Sequence, residues 1–304
     1  MTTGKIWMDG TIVDWDNASI HILTHSLHYG TAVFEGIRCY KTTEGLAIFR
    51  LDDHVQRLID SCKIYYMDLR YSADQIKSAI FETVKANGND GYYVRPIVYY
   101  GHGKMGVNPL PNKVCMAVAA WIWDENVYSN SEIGIRVVVS TWIRFDSRSL
   151  PVLAKATANY ANSVLARIEA INLGYDEAIM LNSNGNVAEA TAENVFIVKN
   201  GCMITPPLTA GALRGITRDS ILTLGKELGV TCTVSDFGRE DLYLADEIFL
   251  TGTAAGIKPV TEIDQRVVGD GKVGDLTMRL ISRFQYILEG SDNKYSAMWL
   301  TPIS

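Results

Sequence analysis

Short runs of alternating apolar and polar positions recur along the chain, a pattern typical of half-buried β-strands. Residues 5–15, KIWMDGTIVDW, carry strand-like text on each side of Asp9-Gly10, a pair typical of tight turns, and so predict a hairpin. Residues 32–50 predict two more strands joined by a turn. Further strands are predicted within 92–101, 113–123, 135–145, 177–205 and 247–264.

Other segments space their apolar residues as a helix does. Residues 51–65 have this spacing, and Asp52 or Asp53 is expected to cap the helix. A second helix is predicted near 72–88, ending at Gly88 because glycine commonly follows a helix. Two more are predicted at 157–174 and 216–229.

The order of these elements shows no internal repeat and no regular alternation of strand and helix. It predicts an α+β fold with largely antiparallel sheets. The polar stretch 124–134 predicts a linker between two halves. We expect a small N-terminal α/β domain at 1–125, an interdomain linker at 126–134 and a large C-terminal domain at 135–304.

Composition narrows the class of protein. The chain has 304 residues, 47% of them hydrophobic, and a net charge of −6. This balance indicates a globular protein and argues against a nucleic-acid partner, which would favour a basic surplus. No apolar run reaches the ~18 residues of a membrane helix, and no signal-peptide pattern is present. Five scattered cysteines without a C-x-x-C pair suit reduced thiols, so we expect a cytoplasmic protein.

One lysine, Lys155, stands among small and apolar residues in VLAKATANYANSV, 152–164. A buried lysine has a depressed pKa, and a neutral amine is a nucleophile that can form a Schiff base with pyridoxal phosphate. Taken alone, the stretch suits a surface lysine at a helix start better. The interpretation changes only if the other parts of a pyridoxal-phosphate site are present.

A phosphate group needs an anion site. In GALRGITRDSIL, 211–222, a helix start would present free backbone N–H groups near Ile216 and Thr217. The loop 251–256, TGTAAG, adds threonine hydroxyls, and Arg57 lies on a helix from which it could reach a phosphate. Each feature alone is also explained by an ordinary helix start, a tight turn or a solvated arginine.

The cofactor ring also needs an acid at its pyridine nitrogen, because a protonated nitrogen makes the ring an electron sink. AEATAENVF, 188–196, offers Glu189 and Glu193. Either glutamate, taken alone, is more often an exposed surface residue.

Seven motifs occur together in the order found in a known family. The chain resembles the branched-chain amino acid aminotransferases, which are class IV, fold type IV pyridoxal-phosphate enzymes, from about residue 5 to about 300. The resemblance implies a two-domain D-amino acid aminotransferase-like fold with the cofactor between the domains. The motifs are HYGTAVFEGIRCY (28–40), YYVRP (92–96), KMGVNP (104–109), AKATANY (154–160), EATAENVF (189–196), LRGITRD (213–219) and GTAAGIKPV (252–260).

The resemblance assigns roles in cofactor binding. Lys155 matches the catalytic Schiff-base lysine, Tyr160 the donor to the cofactor's phenolic oxygen, and Glu189 the acid at the pyridine nitrogen. The other positions that match cofactor-binding residues are Arg57, Leu213, Ile216, Thr217 and Thr253.

The resemblance also assigns a substrate site that accepts apolar side chains and glutamate in turn. Arg95 matches the arginine that meets the glutamate side chain, and Met105 and Val107 match a loop contributed by a neighbouring subunit. A homodimer or a dimer-based assembly is therefore implied. The matching substrate positions are Tyr29, Phe34, Gly36, Tyr93, Arg95, Met105, Val107, Thr253 and Ala254.

Four residues at three places depart from the family pattern and leave the fine substrate range open. Thr157-Ala158 stands where a Gly-Gly pair is common, Arg214 where proline is common, and Gly256 where glutamate is common. None removes a group that the chemistry needs.

The implied activity is reversible ping-pong transfer of the amino group from L-leucine, L-isoleucine or L-valine to 2-oxoglutarate. Alternatives of the same fold are a D-amino acid aminotransferase, an (R)-amine transaminase and an aminodeoxychorismate lyase. Outside that class stand an inactive pyridoxal-phosphate-binding protein and a metal-dependent hydrolase. The hydrolase would use His21, His25 and His28, but no acidic or cysteine partner is spaced with them, so packing roles are favoured and no metal is expected.

Overall fold

The computed structural model describes residues 4–88, 90–122 and 133–303. Most of the predicted linker, 126–132, lies outside the described residues. The eight helices of the described part are α1 (His25–Tyr29), α2 (Leu51–Ile64), α3 (Ala73–Asn87), α4 (Thr157–Asn172), α5 (Ile216–Glu227), α6 (Arg239–Tyr243), α7 (Asp275–Leu288) and α8 (Tyr295–Trp299).

The strands are short and fall into two sheets. Within the described residues they are β1 (Lys5–Met8), β2 (Thr11–Asp14), β3 (Ala32–Phe34), β4 (Ile37–Thr42), β5 (Gly45–Phe49), β6 (Tyr92–Tyr100), β7 (Val114–Ile122), β8 (Ile135–Val139), β9 (Glu177–Leu181), β10 (Val187–Ala190), β11 (Asn194–Lys199), β12 (Cys202–Thr205), β13 (Thr231–Val234), β14 (Glu247–Gly252), β15 (Gly256–Ile263), β16 (Arg266–Val267) and β17 (Leu300–Pro302).

The chain divides into two units that are not continuous in sequence. The first comprises Met1–Trp123, Ala154–Ala158 and Tyr286–Ser304, and the second Asp124–Leu153 and Asn159–Gln285. The sequence divides the chain at one linker, whereas the structure assigns two later segments to the first unit. The predicted domain boundaries stay a prediction.

The first unit is built on one sheet with the order β17-β5-β4-β6-β7-β1-β2, and β3 also pairs with β6. The recorded pairings in this sheet are antiparallel. α2 and α3 bury an apolar face against it, including Leu58, Ile76 and Ile80. Ala154 and Ala156 belong to the same core, which places the segment around Lys155 inside this unit.

The second unit is built on a mixed sheet with the order β10-β9-β8-β15-β14-β11-β12-β13, and β16 pairs with β15. β8 runs parallel to β9 and β15, and β12 runs parallel to β13. The prediction of largely antiparallel sheets therefore holds for the first unit and only partly for the second. Among the described helices, none has the length and apolar character needed to cross a membrane.

Local signals explain which predicted elements are right. Asp9 and Gly10 both have positive φ (45° and 99°), as the predicted hairpin turn requires. The helix near 72–88 is confirmed, and Ser72 and Gln75 form a capping box that fixes its start. The predicted capping of α2 is wrong, because the position before the helix is Arg50 in left-handed conformation.

The prediction of two strands at 32–50 is incomplete. The chain breaks at Glu35-Gly36 and forms three strands there, since the Glu35 N–H bonds the Pro96 carbonyl (2.9 Å) outside the strand ladder. Glu35 and Gly36, the residues at this break, both contact residues of the candidate site described below.

Candidate active site

Lys155 lies on an extended segment of the first unit that is held from both sides. Its carbonyl accepts a bond from the Phe34 N–H (2.9 Å), and its own N–H donates to the Ser61 hydroxyl (3.0 Å). Ser61 in turn donates to the Arg57 carbonyl (2.8 Å) on α2. The side chain is half-buried, with Nζ 5.2 Å from the centre of the Phe34 ring. The backbone of this lysine is therefore fixed by the core of its unit, unlike that of an ordinary surface lysine.

Arg57 is held by a buried carboxylate that the sequence did not single out. Glu35 is fully buried and accepts from Arg57 Nε (2.6 Å) and Nη2 (2.8 Å). The same carboxylate lies 2.7 Å from His54 Nδ1. Burial opposes ionisation, yet the charges of Arg57 and His54 keep the pKa of Glu35 far below its usual range. Burial lowers the pKa of His54.

A cage of aromatic rings surrounds Arg95. Its guanidinium carbon lies 4.7 Å from the ring centre of Phe34, 5.4 Å from that of Tyr93 and 5.8 Å from that of Trp121. The Arg95 Nε atom is buried and has no hydrogen-bond partner among the described residues. A cation with an unused donor, set against apolar ring faces, can receive a carboxylate at the edge of an apolar surface. Trp121 was missed because a tryptophan in a strand is ordinarily core.

Gly36 makes room for the hydroxyl of Tyr93. A Cβ atom at Gly36 would lie 1.9 Å from that oxygen, closer than any real contact. Arg95 Nη2 donates to the same hydroxyl over 3.5 Å. The absence of a side chain at Gly36 therefore allows the position of the Tyr93 phenol, which forms one side of the surroundings of Arg95.

The other substrate positions predicted in the first unit lie on its surface. Tyr29 ends α1, and Met105 and Val107 lie on the loop between β6 and β7. Val107 is 83% exposed, and Tyr29 and Met105 are about half as exposed, at 41% and 43%. Exposed apolar side chains on a loop suit a surface that another molecule covers.

The three histidines weighed as metal ligands have separate partners. His25 Nε2 lies 2.8 Å from the Gly106 carbonyl, and His28 Nε2 lies 2.8 Å from the Ile22 carbonyl. His21 Nδ1 accepts from a backbone N–H two residues on, over 3.0 Å. His25 thus has a packing role, which the sequence favoured.

In the second unit, Glu189 has donors on both oxygens. Arg144 Nη2 lies 2.6 Å from Oε1, and the Leu213 N–H (2.8 Å) and Asn194 Nδ2 (3.3 Å) donate to Oε2. Arg144 is buried and is fixed by bonds to the Gly211 carbonyl and the Ser163 hydroxyl, 3.2 Å each. An arginine at this distance favours the charged carboxylate. Arg144 and Asn194 were not predicted, since neither stands in a motif of its own.

The start of α5 is joined to this carboxylate. Asn194 Nδ2 also donates to the Leu213 carbonyl (3.0 Å), and a Cβ at Gly215 would lie 1.9 Å from Asn194 Oδ1. Gly215 precedes the helix and has no side chain to occupy the N–H groups of the first turn. Ile216 and Thr217 are buried in that turn. These N–H groups and the Thr217 hydroxyl could hold an anion.

Three remaining predicted residues of the second unit are half-buried. Tyr160 lies in the first turn of α4, and Thr253 and Ala254 form the turn between β14 and β15. Gly256 ends that turn with a φ of 64°, a conformation that suits the glycine found where the family commonly has glutamate.

Glu193, the second acid considered, differs from Glu189 in its surroundings. Burial and the nearby Glu177 carboxylate raise the pKa of Glu193 to about 8, against the opposing charge of Lys258. Of the two glutamates, only Glu189 has an arginine within hydrogen-bonding distance among the described residues. The local charges therefore favour Glu189 as the ionised acid.

Comparisons with known proteins identify the family and the fold. The family model for amino-transferase class IV matches residues 32–263. The chain is 43% identical to the branched-chain-amino-acid aminotransferase of Salmonella typhimurium, over 100% of both chains. Among solved structures, it is 41% identical to that of the Escherichia coli branched-chain amino acid aminotransferase, with a TM-score of 0.96 over 100% of both chains. It is 35% identical to the branched-chain amino acid aminotransferase from Thermobaculum terrenum in its PLP-form, with a TM-score of 0.93 over 99% of both chains. These scores confirm the predicted fold type.

Proposed function

The chain belongs to the class IV aminotransferases, and on that premise we propose that it moves the amino group of L-leucine, L-isoleucine or L-valine to 2-oxoglutarate. Pyridoxal 5'-phosphate is the proposed cofactor. The observation that carries the substrate proposal is the cage of Arg95. It combines ring faces that suit a branched apolar side chain with a buried Nε donor for the second carboxylate of glutamate.

Each unit, taken by itself, offers groups that the proposed cofactor needs. Glu189 is paired with Arg144 at 2.6 Å, which suits an acid that faces a pyridine nitrogen. The first turn of α5 offers N–H groups and the Thr217 hydroxyl to a phosphate, and Arg57 has an orientation fixed by Glu35. Lys155 is an amine on a fixed backbone. The Thermobaculum terrenum relative, solved in its PLP-form, supports the same assignment.

The cofactor, when bound, supplies the carbonyl carbon that carries the amino group and the ring that accepts electrons. The proposed role of Lys155 is to hold the cofactor and then, as a free amine, to carry a proton between the substrate α-carbon and the cofactor. Tyr160 donates a hydrogen bond to the phenolic oxygen, and Glu189 holds a proton at the ring nitrogen. Tyr93 and the Thr253-Ala254 backbone orient the α-carboxylate.

The same pocket has to accept two kinds of side chain. Phe34 and Tyr93 exclude water from around a leucine side chain, which favours apolar substrates. With glutamate, the side-chain carboxylate meets Arg95, whose charge is then paired. The two half-reactions would therefore share one site, as a ping-pong cycle needs.

We propose a homodimer or dimer-based assembly in the cytoplasm. The support is the exposed apolar surface formed by α1 and the loop after β6, where Leu27, Val107 and Leu110 are each more than half exposed. α4 adds exposed Val164, Ile168 and Ile171 in the second unit. In such an assembly Met105 and Val107 would reach the site of the neighbouring subunit.

The experiment that tests the proposal is the visible absorption spectrum of the purified protein with pyridoxal phosphate. A yellow band that bleaches with L-leucine alone and returns with 2-oxoglutarate is the expected result. A band that responds only to D-alanine or an (R)-amine would move the function to a D-amino acid or (R)-amine transaminase. A protein that binds the cofactor without responding to any amine is the inactive alternative, and one that never gains a band refutes the role of Lys155.

A further inference from the structure

α1 and the loop 103–109 are joined at the base of that loop in the first unit. The N–H of His25 donates to the Gly101 carbonyl (3.1 Å), just before the loop. Beyond the loop, Asn112 accepts from the Lys104 N–H (2.7 Å) and donates to the Lys104 carbonyl (3.0 Å). These bonds fix the base of the loop. They do not involve Gly106 at its middle.

The side chain of His25 contacts the middle of the loop. It is fully buried, with Nε2 2.8 Å from the Gly106 carbonyl and Nδ1 2.8 Å from the Thr31 hydroxyl. A carbonyl only accepts, so Nε2 donates to Gly106. The same ring lies 4.5 Å from the ring of Tyr29, centre to centre. One buried imidazole ring therefore contacts both the middle of the loop and an aromatic side chain.

The held carbonyl lies between two proposed substrate residues. Gly106 has a φ of 122°, which a glycine adopts without strain, and Met105 and Val107 flank it. Neither flanking side chain is buried in its own unit, so neither fixes the loop by its own packing. The bond from His25 to Gly106 holds the backbone between these two residues.

We infer that His25 is a positioning residue that fixes Tyr29 and the middle of the loop 103–109 as one preformed apolar surface for the substrate side chain. The inference rests on the proposed function, which assigns Tyr29, Met105 and Val107 to the substrate. His25 neither touches the substrate nor moves a proton. It determines how well a branched side chain is bound, because a preformed surface avoids the cost of ordering the loop on binding.

The test compares two variants that separate the contacts of this ring. His25→Phe keeps a ring against Tyr29 but removes the donor to Gly106, and His25→Gln keeps an N–H donor. The measurements are the steady-state KM and kcat for L-leucine, and the rate of tryptic cleavage after the exposed Lys104. For His25→Phe we expect a KM about tenfold higher with kcat kept, and cleavage about tenfold faster. His25→Gln should restore the protease resistance.

The matched control is His21→Gln, an exposed histidine of the same segment, which should leave KM and cleavage unchanged. Wild-type KM and cleavage in His25→Phe would overturn the inference, and so would a loss of kcat with unchanged KM. If His25→Phe does not fold, Thr31→Val removes the hydroxyl that bonds His25 Nδ1 and lies 3.3 Å from Ser26 Oγ, and an unchanged KM there would also count against the inference. A wild-type protein that ignores leucine would instead refute the proposed function.

Discussion

Glu35→Gln probes the buried group that orients Arg57. The change keeps the shape of the side chain but removes its charge, which now pairs with Arg57 at 2.6 and 2.8 Å and with His54 at 2.7 Å. The side-chain oxygen of glutamine can still accept one hydrogen bond, but its NH2 group then faces an N–H donor of Arg57 or His54. The guanidinium is then left partly buried without its counter-ion.

The magnitude follows from the burial of the pair. Removing one partner of a buried ion pair costs roughly 3–5 kcal/mol. Because glutamine keeps one acceptor oxygen, we expect a loss of about 3 kcal/mol, at the lower end of this range. Glu35 is 0% exposed and the Arg57 side chain 11%, so solvent screening does little to reduce this value. For a unit of this size, 1 kcal/mol shifts the unfolding midpoint by roughly 2–4 °C, which predicts a loss of roughly 6–12 °C.

The assay is calorimetry of the cofactor-free protein at one protein concentration, so that neither ligand nor assembly changes the midpoint. Glu44→Gln, an exposed glutamate in the turn between β4 and β5, is the control and should shift the midpoint by less than about 1 °C. The double variant Glu35→Gln with Arg57→Met should be less destabilised than the sum of its parts. A Glu35→Gln midpoint equal to that of Glu44→Gln would refute the pairing argument.

Four further variants test the site. Lys155→Ala should abolish leucine turnover, since no amine remains to move the α-proton; steady turnover would contradict its role. Arg95→Ala should raise the KM for 2-oxoglutarate about tenfold more than that for leucine, because only the former brings a second carboxylate; equal losses would argue against a shared pocket. Gly36→Ala must displace the Tyr93 hydroxyl and should raise the leucine KM by about tenfold, whereas a normal KM would mean that the phenol is not a wall of the site. Burial raises the pKa of Glu193 from 4.5 to about 8, so between these pH values the folded protein binds the proton more tightly than the unfolded chain does. The free energy of unfolding therefore falls as the pH rises through this range. Melting temperatures of Glu193→Gln should lack this fall, and a variant whose pH profile runs parallel to that of the wild type would refute the argument.

Elements that depend on neighbouring residues were predictable from the sequence. α3 is one, because Ser72, Gln75 and Gly88 supply its start and its end within the same segment. The Asp9-Gly10 hairpin is another, since the turn alone requires positive φ at both positions. The cap of α2 was not predictable. Asp53 pairs with the Arg50 side chain (2.5 Å), and Arg50 rather than an aspartate occupies the cap position, a choice that two acidic residues in sequence do not reveal.

The candidate site divides in the same way. Motifs name residues that would touch a ligand, such as Lys155 and Glu189, but not the groups that orient them. Glu35 is 22 residues from Arg57, and a lone acid in a strand break has no periodicity that marks it as buried. Arg144 lies in an irregular segment, and only the folded second unit places it beside Glu189. Such supporting groups are specified by tertiary packing, which one sequence does not display.

The pairing of β17 with β5 has a consequence for synthesis on the ribosome. β5 lies between β4 and β17 in the first unit, and Leu300–Pro302 supply its outer partner. At ~5–20 residues per second, roughly 10–35 s separate the emergence of Trp123 from that of Leu300. During this interval β5 is an open strand edge in a nascent chain, and open edges pair with other chains. The growing polypeptide therefore passes through an interval in which β5 can pair with a wrong strand.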